Sequence, residues 1–270
     1  MNLLLKSTIK QYINLHLKPT VAVSGGIDSL TLSVFISKYL IPNNLNVAHA
    51  VSPAVPIEAT KRVKYFSKKY NWNLHILDAG EMNDVNYISN PINRCYFCKT
   101  NLYGIISETL SGNIFSGANT DDLKDFRPGL IAAKNSNVIH PFVEAKIDKN
   151  TVRKLAKKMG LEEIAELPSS PCLSSRIETG IKITADLLKK IDSVEREIKN
   201  LIPDADVRCR WLSDGVRIEF NNPNPKKIKN KSQIINLTEK VFKISKKFIN
   251  IASYKKGSAF IQDKESFING

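Results

Sequence analysis

The stretch Thr20–Ser29, which reads TVAVSGGIDS, decides the fold that this sequence predicts. Its first half is β-branched or small and apolar and predicts a buried strand over Thr20–Ser24, while Ser29–Leu40 predicts a helix. The glycines between them let the backbone turn sharply and approach an anion, and the N–H groups and dipole of a helix N-terminus attract phosphate. The stretch therefore predicts a strand, a phosphate-binding turn and a helix in succession.

Further strands and helices alternate along the first two thirds of the chain. Strands are predicted at Leu45–Ala50, Leu74–Leu77, Ile114–Ser116 and Val138–Phe142, and helices at Ile57–Tyr70, Leu102–Leu110 and Thr151–Met159. This alternation predicts an α/β fold of Rossmann-like type, with a parallel sheet and helices on both faces. Ligands of such sheets bind beyond the carboxyl ends of the strands, where the Gly-rich turn is expected.

The last third of the sequence predicts a smaller α+β domain. Thr184 can cap a helix over residues 185–201, and Asp206–Trp211 and Gly215–Phe220 alternate like the two strands of a hairpin. A loop rich in lysine, asparagine and proline follows, and then a further helix and strand-like residues. We therefore expect two domains, residues 1–180 and residues 181–270, the second for substrate binding or oligomerisation.

Composition narrows the class of protein. The chain has 270 residues, of which 42% are hydrophobic and 24% charged, and this balance excludes a disordered or collagen-like chain. No apolar run approaches the roughly 20 residues of a membrane helix, and early lysines argue against a signal peptide, so we expect a cytoplasmic protein with no membrane contact. The net charge of +14 favours anionic partners such as nucleotides or RNA.

The Gly-rich turn is a candidate nucleotide site built from Ser24, Gly25, Gly26, Asp28 and Ser29. It lacks both the Lys-Ser/Thr ending of a Walker A loop and the GxGxxG spacing of a dinucleotide fold. Because the Asp28 carboxylate repels phosphate, we expect it to hold a metal ion or to make a structural hydrogen bond. A tight turn that merely caps a helix is the alternative interpretation.

Four cysteines, Cys95, Cys98, Cys172 and Cys209, favour a metal site or catalysis, because an intracellular chain rarely keeps disulfides. The CxxC of Cys95 and Cys98 fits a redox pair, half of a zinc site, or two buried thiols at a helix start. No second CxxC follows, and no histidine flanks the cysteines. Three thiolates without a fourth ligand suit an iron–sulfur cluster with one open iron, which can bind sulfide.

Cys209 differs from the other three cysteines. It lies in VRCRW, where strand alternation sends it to the apolar face, so we expect a small core residue. Arg208 and Arg210 share the opposite face and could clamp a phosphate or a carboxylate. A solvated strand face is the alternative.

An acidic segment, GANTDDLKDFRPG, follows a predicted strand end and begins at Gly117, a candidate ATP-binding residue. Asp122 and Asp125, together with Asp121, are candidates for holding Mg²⁺ or positioning substrate, and Arg127 for binding a carboxylate. The alternative is a helix cap with charged first-turn residues.

Two further side chains, those of Arg176 and His49, could lie near the site. Arg176 lies four residues after Cys172 and could also face the site. His49 lies at a strand end near the expected nucleotide, where a structural histidine is the simpler interpretation.

Together these segments resemble one family. SGGIDS resembles the PP-loop of ATP pyrophosphatases, which hold the β- and γ-phosphates of ATP and transfer AMP. SGGIDS, NRCYFCKTNLY, SGANTDDLKDFRPG, SSPCLSSRIETGIKIT and VRCRW…GVRIEF occur in this order. The combination is similar to the LarE family of ATP-dependent sulfur transferases, over roughly Val21 to Phe220.

The resemblance implies a reaction and its cofactors. LarE enzymes adenylate a ring carboxylate of pyridinium-3,5-biscarboxylic acid mononucleotide with ATP, and sulfur then replaces AMP on the way to the nickel-pincer nucleotide. Cys95, Cys98 and Cys172 match the branch that holds a 4Fe–4S cluster for sulfide delivery, and Cys172 matches the catalytic cysteine. Arg208 and Arg210 match residues that bind the substrate phosphate. A Mg²⁺ ion, a sulfide donor and a homo-hexamer are also implied.

Three other functions stay open at this point. Cys172 could sacrifice its own sulfur, as in the other branch of the family. The positive charge also suits a cluster-dependent tRNA thiolase, although no flanking zinc ribbon or RNA-binding module is evident. A zinc-stabilised nucleotide-binding protein without catalysis is the alternative from another class.

Overall fold

The structure, a computed structural model, describes residues 3–13, 18–42, 45–168 and 171–255. Ser169 and Ser170, which begin the segment SSPCLSSRIETGIKIT, and part of the N-terminal segment used in the signal-peptide prediction lie outside the described residues. The chain divides into two compact units. The larger comprises Met1–Asp84 and Asn93–Ser170, and the smaller comprises Val85–Ile92 and Pro171–Gly270.

Both units combine helices with a sheet, which confirms the α/β prediction with a smaller mixed sheet toward the C-terminus. The strands are β1 (Thr20–Ala22), β2 (Asn46–Ala50), β3 (Asn73–Leu77), β4 (Ile114–Ser116), β5 (Asp206–Leu212), β6 (Gly215–Asn222) and β7 (Ile249–Ser253). The helices are α1 (Leu3–Lys10), α2 (Ile27–Tyr39), α3 (Ile57–Lys69), α4 (Val85–Ile88), α5 (Arg94–Thr109), α6 (Pro128–Asn135), α7 (Pro141–Glu144), α8 (Lys149–Lys158), α9 (Glu162–Ala165), α10 (Ala185–Leu201) and α11 (Lys231–Phe242).

The sheet of the larger unit is parallel and has the order β3-β2-β1-β4. Val21 at the centre of β1 pairs with Val47 of β2 on one side and with Phe115 of β4 on the other. The chain thus moves outward from β1 through β2 to β3 and then returns to the other side of β1. This reversal creates a switch point beyond the carboxyl ends of β1 and β4, where an open α/β sheet binds ligands.

Helix α2 lies deep in the core of the larger unit. Its residues from Ile27 to Ser37 are buried apart from Asp28, so its apolar side chains face the protein all round. Burial of this kind fixes the position of the N-terminal turn of the helix, because packed interiors do not deform easily. The Gly-rich loop that precedes α2 is therefore anchored from behind.

Two predictions about the larger unit need correction. The strand predicted at Val138–Phe142 is wrong, because only Ile139 bridges to Phe115 and Pro141 then begins the short helix α7. Proline fits the first position of a helix and cannot donate to a strand ladder. The helix predicted from Leu102 begins earlier, at Arg94, so that the CxxC lies on its first turns.

The smaller unit contains the predicted helix and hairpin. Thr184 accepts a hydrogen bond from the N–H of Leu187 at 3.2 Å and caps α10. Strands β5 and β6 pair antiparallel around the turn between Leu212 and Gly215, and β7 adds parallel to β6. Compact packing is not a test of independent folding, so the predicted domain limits at residue 180 stay a prediction.

Among the described residues, no helix combines the length and the apolar character that crossing a membrane requires.

Candidate active site

The Gly-rich loop, Ser24–Ser29, is closed by its own side chains. The Ser29 hydroxyl accepts from the N–H of Ser24 at 3.2 Å and donates to the carbonyl of Gly26 at 3.2 Å. The N–H of Gly26 lies 3.4 Å from the Ser24 hydroxyl. Gly25 has a φ of +79°, a left-handed conformation that glycine adopts without strain.

The loop ends at the N-terminus of α2, where an anion is favoured. No side chain of the described part of the chain caps this helix at Gly26. The first N–H groups of a helix have no intrahelical partner, and the helix dipole places partial positive charge beside them. The arrangement fits the predicted phosphate site.

Two glycines allow backbone segments to approach this loop closely. A Cβ atom on Gly25 would lie 2.6 Å from the carbonyl oxygen of Ala59 in α3. A Cβ atom on Gly117, which follows β4, would lie 2.6 Å from the N atom of Ser29. Real Cβ atoms do not come this close to backbone atoms, so a larger residue at either position would require the backbone to shift.

Asp28 is held by an ion pair and an amide. Lys149, the first residue of α8, donates from Nζ to one Asp28 carboxylate oxygen. The Nδ2 atom of Asn119 donates to the other oxygen at 3.3 Å. Of the two tasks expected for Asp28, the structure thus contains the structural hydrogen bond, while metal binding stays a prediction.

The acidic segment after β4 is tied together by a cap. Asn119 accepts from the N–H of Asp121, and the Asp122 carboxylate accepts from the N–H of Asn119, both at 3.0 Å. Asp122 also pairs with Arg127 at 2.8 Å, and Asp125 lies 3.8 Å from the same guanidinium. The alternative interpretation of this segment as a cap therefore describes its geometry, and the Mg²⁺ and substrate roles stay predictions.

Asp121 links this segment to α8. Its carboxylate pairs with Lys124 at 2.7 Å and accepts from the N–H of Lys149 at 3.0 Å. The Lys124 hydrogen bond, together with the Lys149 N–H, lowers the pKa of Asp121.

His49 links the Gly-rich loop to α3, as expected of a structural histidine. Its Nδ1 atom lies 2.7 Å from the carbonyl oxygen of Val23, and its Nε2 atom lies 3.0 Å from the hydroxyl of Thr60. Because a carbonyl only accepts, Nδ1 donates, and in the neutral ring Nε2 accepts from Thr60. Burial lowers the pKa of His49, which favours this neutral form.

A second histidine lies at the end of β4. His140 Nδ1 is 2.7 Å from the hydroxyl of Ser116, which precedes Gly117. Burial lowers the pKa of His140, and the charge of Asp122 opposes this shift.

Cys95 and Cys98 lie three residues apart on the first turns of α5, so both thiols share one face of the helix. Cys95 is exposed and Cys98 half-buried. The interpretation as two buried thiols is therefore wrong for Cys95. Both belong to the larger unit and Cys172 to the smaller one, so the joining of the three in one cluster stays a prediction.

The backbone at Cys172 is held by an array of donors. Its carbonyl accepts from the N–H of Ser175 at 3.0 Å, from the Ser175 hydroxyl at 2.8 Å and from Arg176 Nη1 at 3.2 Å. Arg176 also donates to the carbonyl of Pro171 at 2.7 Å. Arg176 is 1% exposed, and its guanidinium pairs with Glu195 at 2.9 Å. Arg176 thus holds the backbone of this loop in place. Its predicted role in the active site stays a prediction.

Arg208 and Arg210 lie on one face of β5, and the Tyr254 ring lies 5.9 Å from each guanidinium. The solvated-face alternative is wrong, because both side chains are buried. Arg210 pairs with Glu219 at 2.8 Å, and Arg208 pairs with Asp206 at 2.6 Å. Their predicted contact with a substrate phosphate stays a prediction.

Cys209, between these two arginines, is fully buried, as predicted. Burial raises the pKa of its thiol well above the ordinary value. A thiol of this kind is a poor nucleophile and a poor metal ligand.

No group of three or more cysteine, histidine, aspartate or glutamate side chains is gathered as a metal site within the described ranges. A Mg²⁺ ion at an ATP site needs only one or two carboxylates, since phosphates and water complete its coordination.

Three residues near the loop were not identified from the sequence: Asn119, Lys149 and Arg62. The sequence does contain an indication for Lys149. Asp148 caps α8, and the lysine next to it lies at the positive end of the helix dipole, where a cation is disfavoured. Such local conflicts often mark functional sites. Arg62 donates from Nε to the carbonyl of Gly25 at 3.0 Å, and nothing in its sequence context indicates that contact.

Comparison with known proteins gives relatives that cover most of the chain. No family model matches it. An uncharacterised protein of Synechocystis sp. is 32% identical over 86% of each chain. An uncharacterised protein of Methanocaldococcus jannaschii is 30% identical over 93% of this chain and 96% of its own. The pyridinium-3,5-bisthiocarboxylic acid mononucleotide synthase of Lactiplantibacillus plantarum is 27% identical over 74% of each chain.

The chain belongs to the LarE family. It is an ATP-dependent enzyme of the PP-loop type. As the family has this nucleotide chemistry, the Gly-rich loop of this LarE protein is the candidate ATP site.

The glycine contact at the loop generates a stability prediction. Gly25→Ala should lower the free energy of unfolding by about 1–3 kcal/mol more than Gly160→Ala, because an added Cβ meets the backbone of Ala59. Gly160 is a matched control, since its φ of +77° is nearly the same and nothing lies within 4 Å of its added Cβ. Urea unfolding of both variants measures the difference. Equal losses would show that the loop can move away from α3 at no cost.

Proposed function

We propose that this LarE protein is an ATP-dependent sulfur insertase that converts pyridinium-3,5-biscarboxylic acid mononucleotide to its thiocarboxylate through an acyl-adenylate. The observation that carries the proposal is the Gly-rich loop at the switch point of the sheet, followed by an uncapped helix N-terminus. The Lactiplantibacillus plantarum relative is named as a pyridinium-3,5-bisthiocarboxylic acid mononucleotide synthase, which supports this substrate class.

The chemistry explains the need for ATP. A carboxylate is a poor acyl donor, because oxide would have to leave. In the first step a carboxylate oxygen attacks the α-phosphorus, the bond to the β-phosphate breaks and pyrophosphate departs. In the second step a sulfide sulfur attacks the acyl carbon, and the bond to AMP breaks.

The larger unit supplies groups suited to the first step. The N–H groups at the start of α2, and the hydroxyls of Ser24 and Ser29, which lie 3.4 Å apart, are the groups that we expect to bind the phosphates that leave as pyrophosphate. Lys149, held beside the loop by Asp28, supplies positive charge. Mg²⁺, when bound with ATP, would offset phosphate charge, and Asp28 is its first candidate protein ligand, with Asp122 and Asp125 as further candidates.

The cysteines supply the chemistry of the second step. The donor set fits iron–sulfur ligation, because Cys95 and Cys98 present accessible thiols on one helix face. Cys172 is the proposed third ligand. A 4Fe–4S cluster bound by these three would supply an open iron for hydrosulfide. The sulfide donor and assembly into a hexamer also remain proposals.

The direct test is an assay with protein purified without oxygen. Incubation with the pyridinium mononucleotide, ATP, Mg²⁺ and sulfide should give pyrophosphate, AMP and a product 16 mass units heavier per exchanged oxygen, the difference between sulfur and oxygen. Failure to form this product would remove the proposal. Tight and steeply salt-dependent tRNA binding with thiolation of the tRNA would instead assign the chain to the tRNA thiolases.

The cysteine assignment makes a second prediction. Wild-type protein is expected to carry iron and acid-labile sulfide, and Cys95→Ala, Cys98→Ala and Cys172→Ala should each abolish both, because each removes one proposed ligand. Metal and sulfide analysis after anaerobic purification measures the loss.

Cys209→Ala is the matched control for the cysteine series. It should keep its iron, because the Cys209 thiol is buried in the core and the link to Glu195 uses the backbone N–H. Loss of iron from this variant alone would contradict the assignment, and zinc alone would indicate the non-catalytic protein. Loss of hydrogen sulfide from Cys172 after turnover, seen by mass spectrometry, would indicate the sacrificial route.

The ion pair at the loop makes a third prediction. Asp28→Ala should slow pyrophosphate release by about 100-fold, because Lys149 loses the carboxylate that positions it and Mg²⁺ would lose a candidate ligand. Iron content should be unchanged. Glu166→Gln is the control, since it removes an exposed ion pair of the same unit. Equal rates of pyrophosphate release in Asp28→Ala and the wild-type protein would contradict this role.

A further inference from the structure

Arg62 of α3 reaches the backbone of the Gly-rich loop from behind. Its Nε atom donates to the carbonyl of Gly25 at 3.0 Å. The backbone of Ala59, one turn earlier, lies directly against Gly25. The loop therefore rests on the first two turns of α3, and Arg62 makes the hydrogen bond between them.

Because the peptide bond is planar, the contact with Arg62 also fixes the direction of the N–H group on the other side of the loop. In a trans peptide the C=O of one residue and the N–H of the next point in opposite directions. Holding the Gly25 carbonyl toward Arg62 therefore turns the N–H of Gly26 away from α3. That N–H lies 3.4 Å from the hydroxyl of Ser24, within the curve of the loop.

The same peptide is unusually free to rotate, because it joins two glycines. Glycine adopts positive and negative φ with similar ease, so a flip of the unit between Gly25 and Gly26 meets little steric resistance. After a flip, a carbonyl oxygen with partial negative charge would replace the N–H. An oxygen in that place repels phosphate, whereas an N–H binds it.

We propose that Arg62 is a positioning residue that locks the Gly25–Gly26 peptide with its N–H toward the β- and γ-phosphates of ATP. The proposal rests on the proposed function in one respect, that the Gly-rich loop binds ATP. Arg62 acts through the peptide and touches no substrate.

His49 holds the preceding part of the loop in a similar way. It joins Thr60 of α3 to the carbonyl of Val23. The carbonyls of residues 23 and 25 are thus both held from the side of α3, directly or through a histidine. This leaves the Gly25–Gly26 peptide as the point where the loop can change orientation once Arg62 is removed.

Removal of the Arg62 side chain should leave the fold intact. The guanidinium is half-buried and lines an open groove of about 260 Å³ together with Lys61, Glu58 and Tyr65. Water can enter such a groove and solvate the groups that the guanidinium leaves behind.

Calorimetric titration of the full chain with ATP, pyrophosphate and AMP tests the lock. Arg62→Ala should raise the Kd for ATP and for pyrophosphate by about 10-fold or more, the effect of one charge-assisted hydrogen bond. The Kd for AMP should not change, because AMP lacks the two phosphates concerned. Arg62→Lys keeps a charged donor and should restore part of the affinity.

Lys61→Ala is the matched control, because it removes the same charge from the same groove without touching the loop. Its affinities should equal those of the wild-type protein. An equal loss in both variants, or an equal loss for AMP and ATP, would overturn the lock. If Arg62→Ala does not fold, Arg62→Gln gives the same comparison.

This experiment distinguishes a failure of the proposed function from a failure of the proposed role of Arg62. Wild-type protein that binds neither ATP nor pyrophosphate overturns the ATP site and the lock together. Wild-type protein that binds both, with an Arg62→Ala variant that binds equally well, overturns the lock alone.

Discussion

Close approach of backbone to backbone at the carboxyl ends of β1 and β4 is the constraint on which the rest of the larger unit depends. Gly25 brings the loop against α3, and Gly117 brings the segment after β4 against the start of α2. The order of the strands makes this convergence possible, because the chain reverses its direction across the sheet at β1. Without side chains at these two positions, three backbone segments can share one small volume, and their N–H groups can be directed into it.

Charge within this volume is arranged around Lys149. A lysine in the first turn of a helix is disfavoured by the dipole, and here three carboxylates surround it. Asp28 binds its ammonium group, Asp121 accepts from its N–H, and Asp148 caps the helix. The local conflict is thus resolved by tertiary contacts that join α8 to the Gly-rich loop. A triphosphate at this site would meet the ammonium group of Lys149, held by Asp28, and a set of fixed backbone donors, and fixed charges and donors of this kind are what preorganised electrostatic catalysis requires.

The sequence predicts the fold of the larger unit well because its signals are local. A β-branched run, a pair of glycines and a capped amphipathic helix each act within a few residues, and β4 and α10 have their predicted bounds. The strand predicted at Val138–Phe142 is wrong because Pro141 outweighs the β-branched residues before it. The Gly-rich loop can also be predicted, because its residues are consecutive in the sequence. The contacts of Asp28 with Lys149 and of Gly25 with Arg62 cannot be predicted in this way, since they join residues that are 121 and 37 positions apart in the sequence. No pattern in one sequence specifies such pairs.

The smaller unit shows the same limit in its buried charges. Alternation along β5 predicts that Arg208 and Arg210 share a face, but it does not reveal that Glu219 lies across the hairpin and pairs with Arg210. Whether a charged strand face is solvated or buried depends on the partner strand.

The buried ion pairs of Arg176 with Glu195 and of Arg210 with Glu219 are not explained by a gain in stability. Desolvation offsets most of the attraction in a buried pair, and apolar residues of similar volume are often as stable. What Arg176 and Arg210 provide is direction, because they donate to the carbonyls of Pro171, Cys172 and Ser175. Apolar side chains could pack in the same space but could not fix those carbonyls. The main chain at Cys172 is therefore held in one position within its unit by hydrogen bonds to its own carbonyl and to the carbonyls on either side.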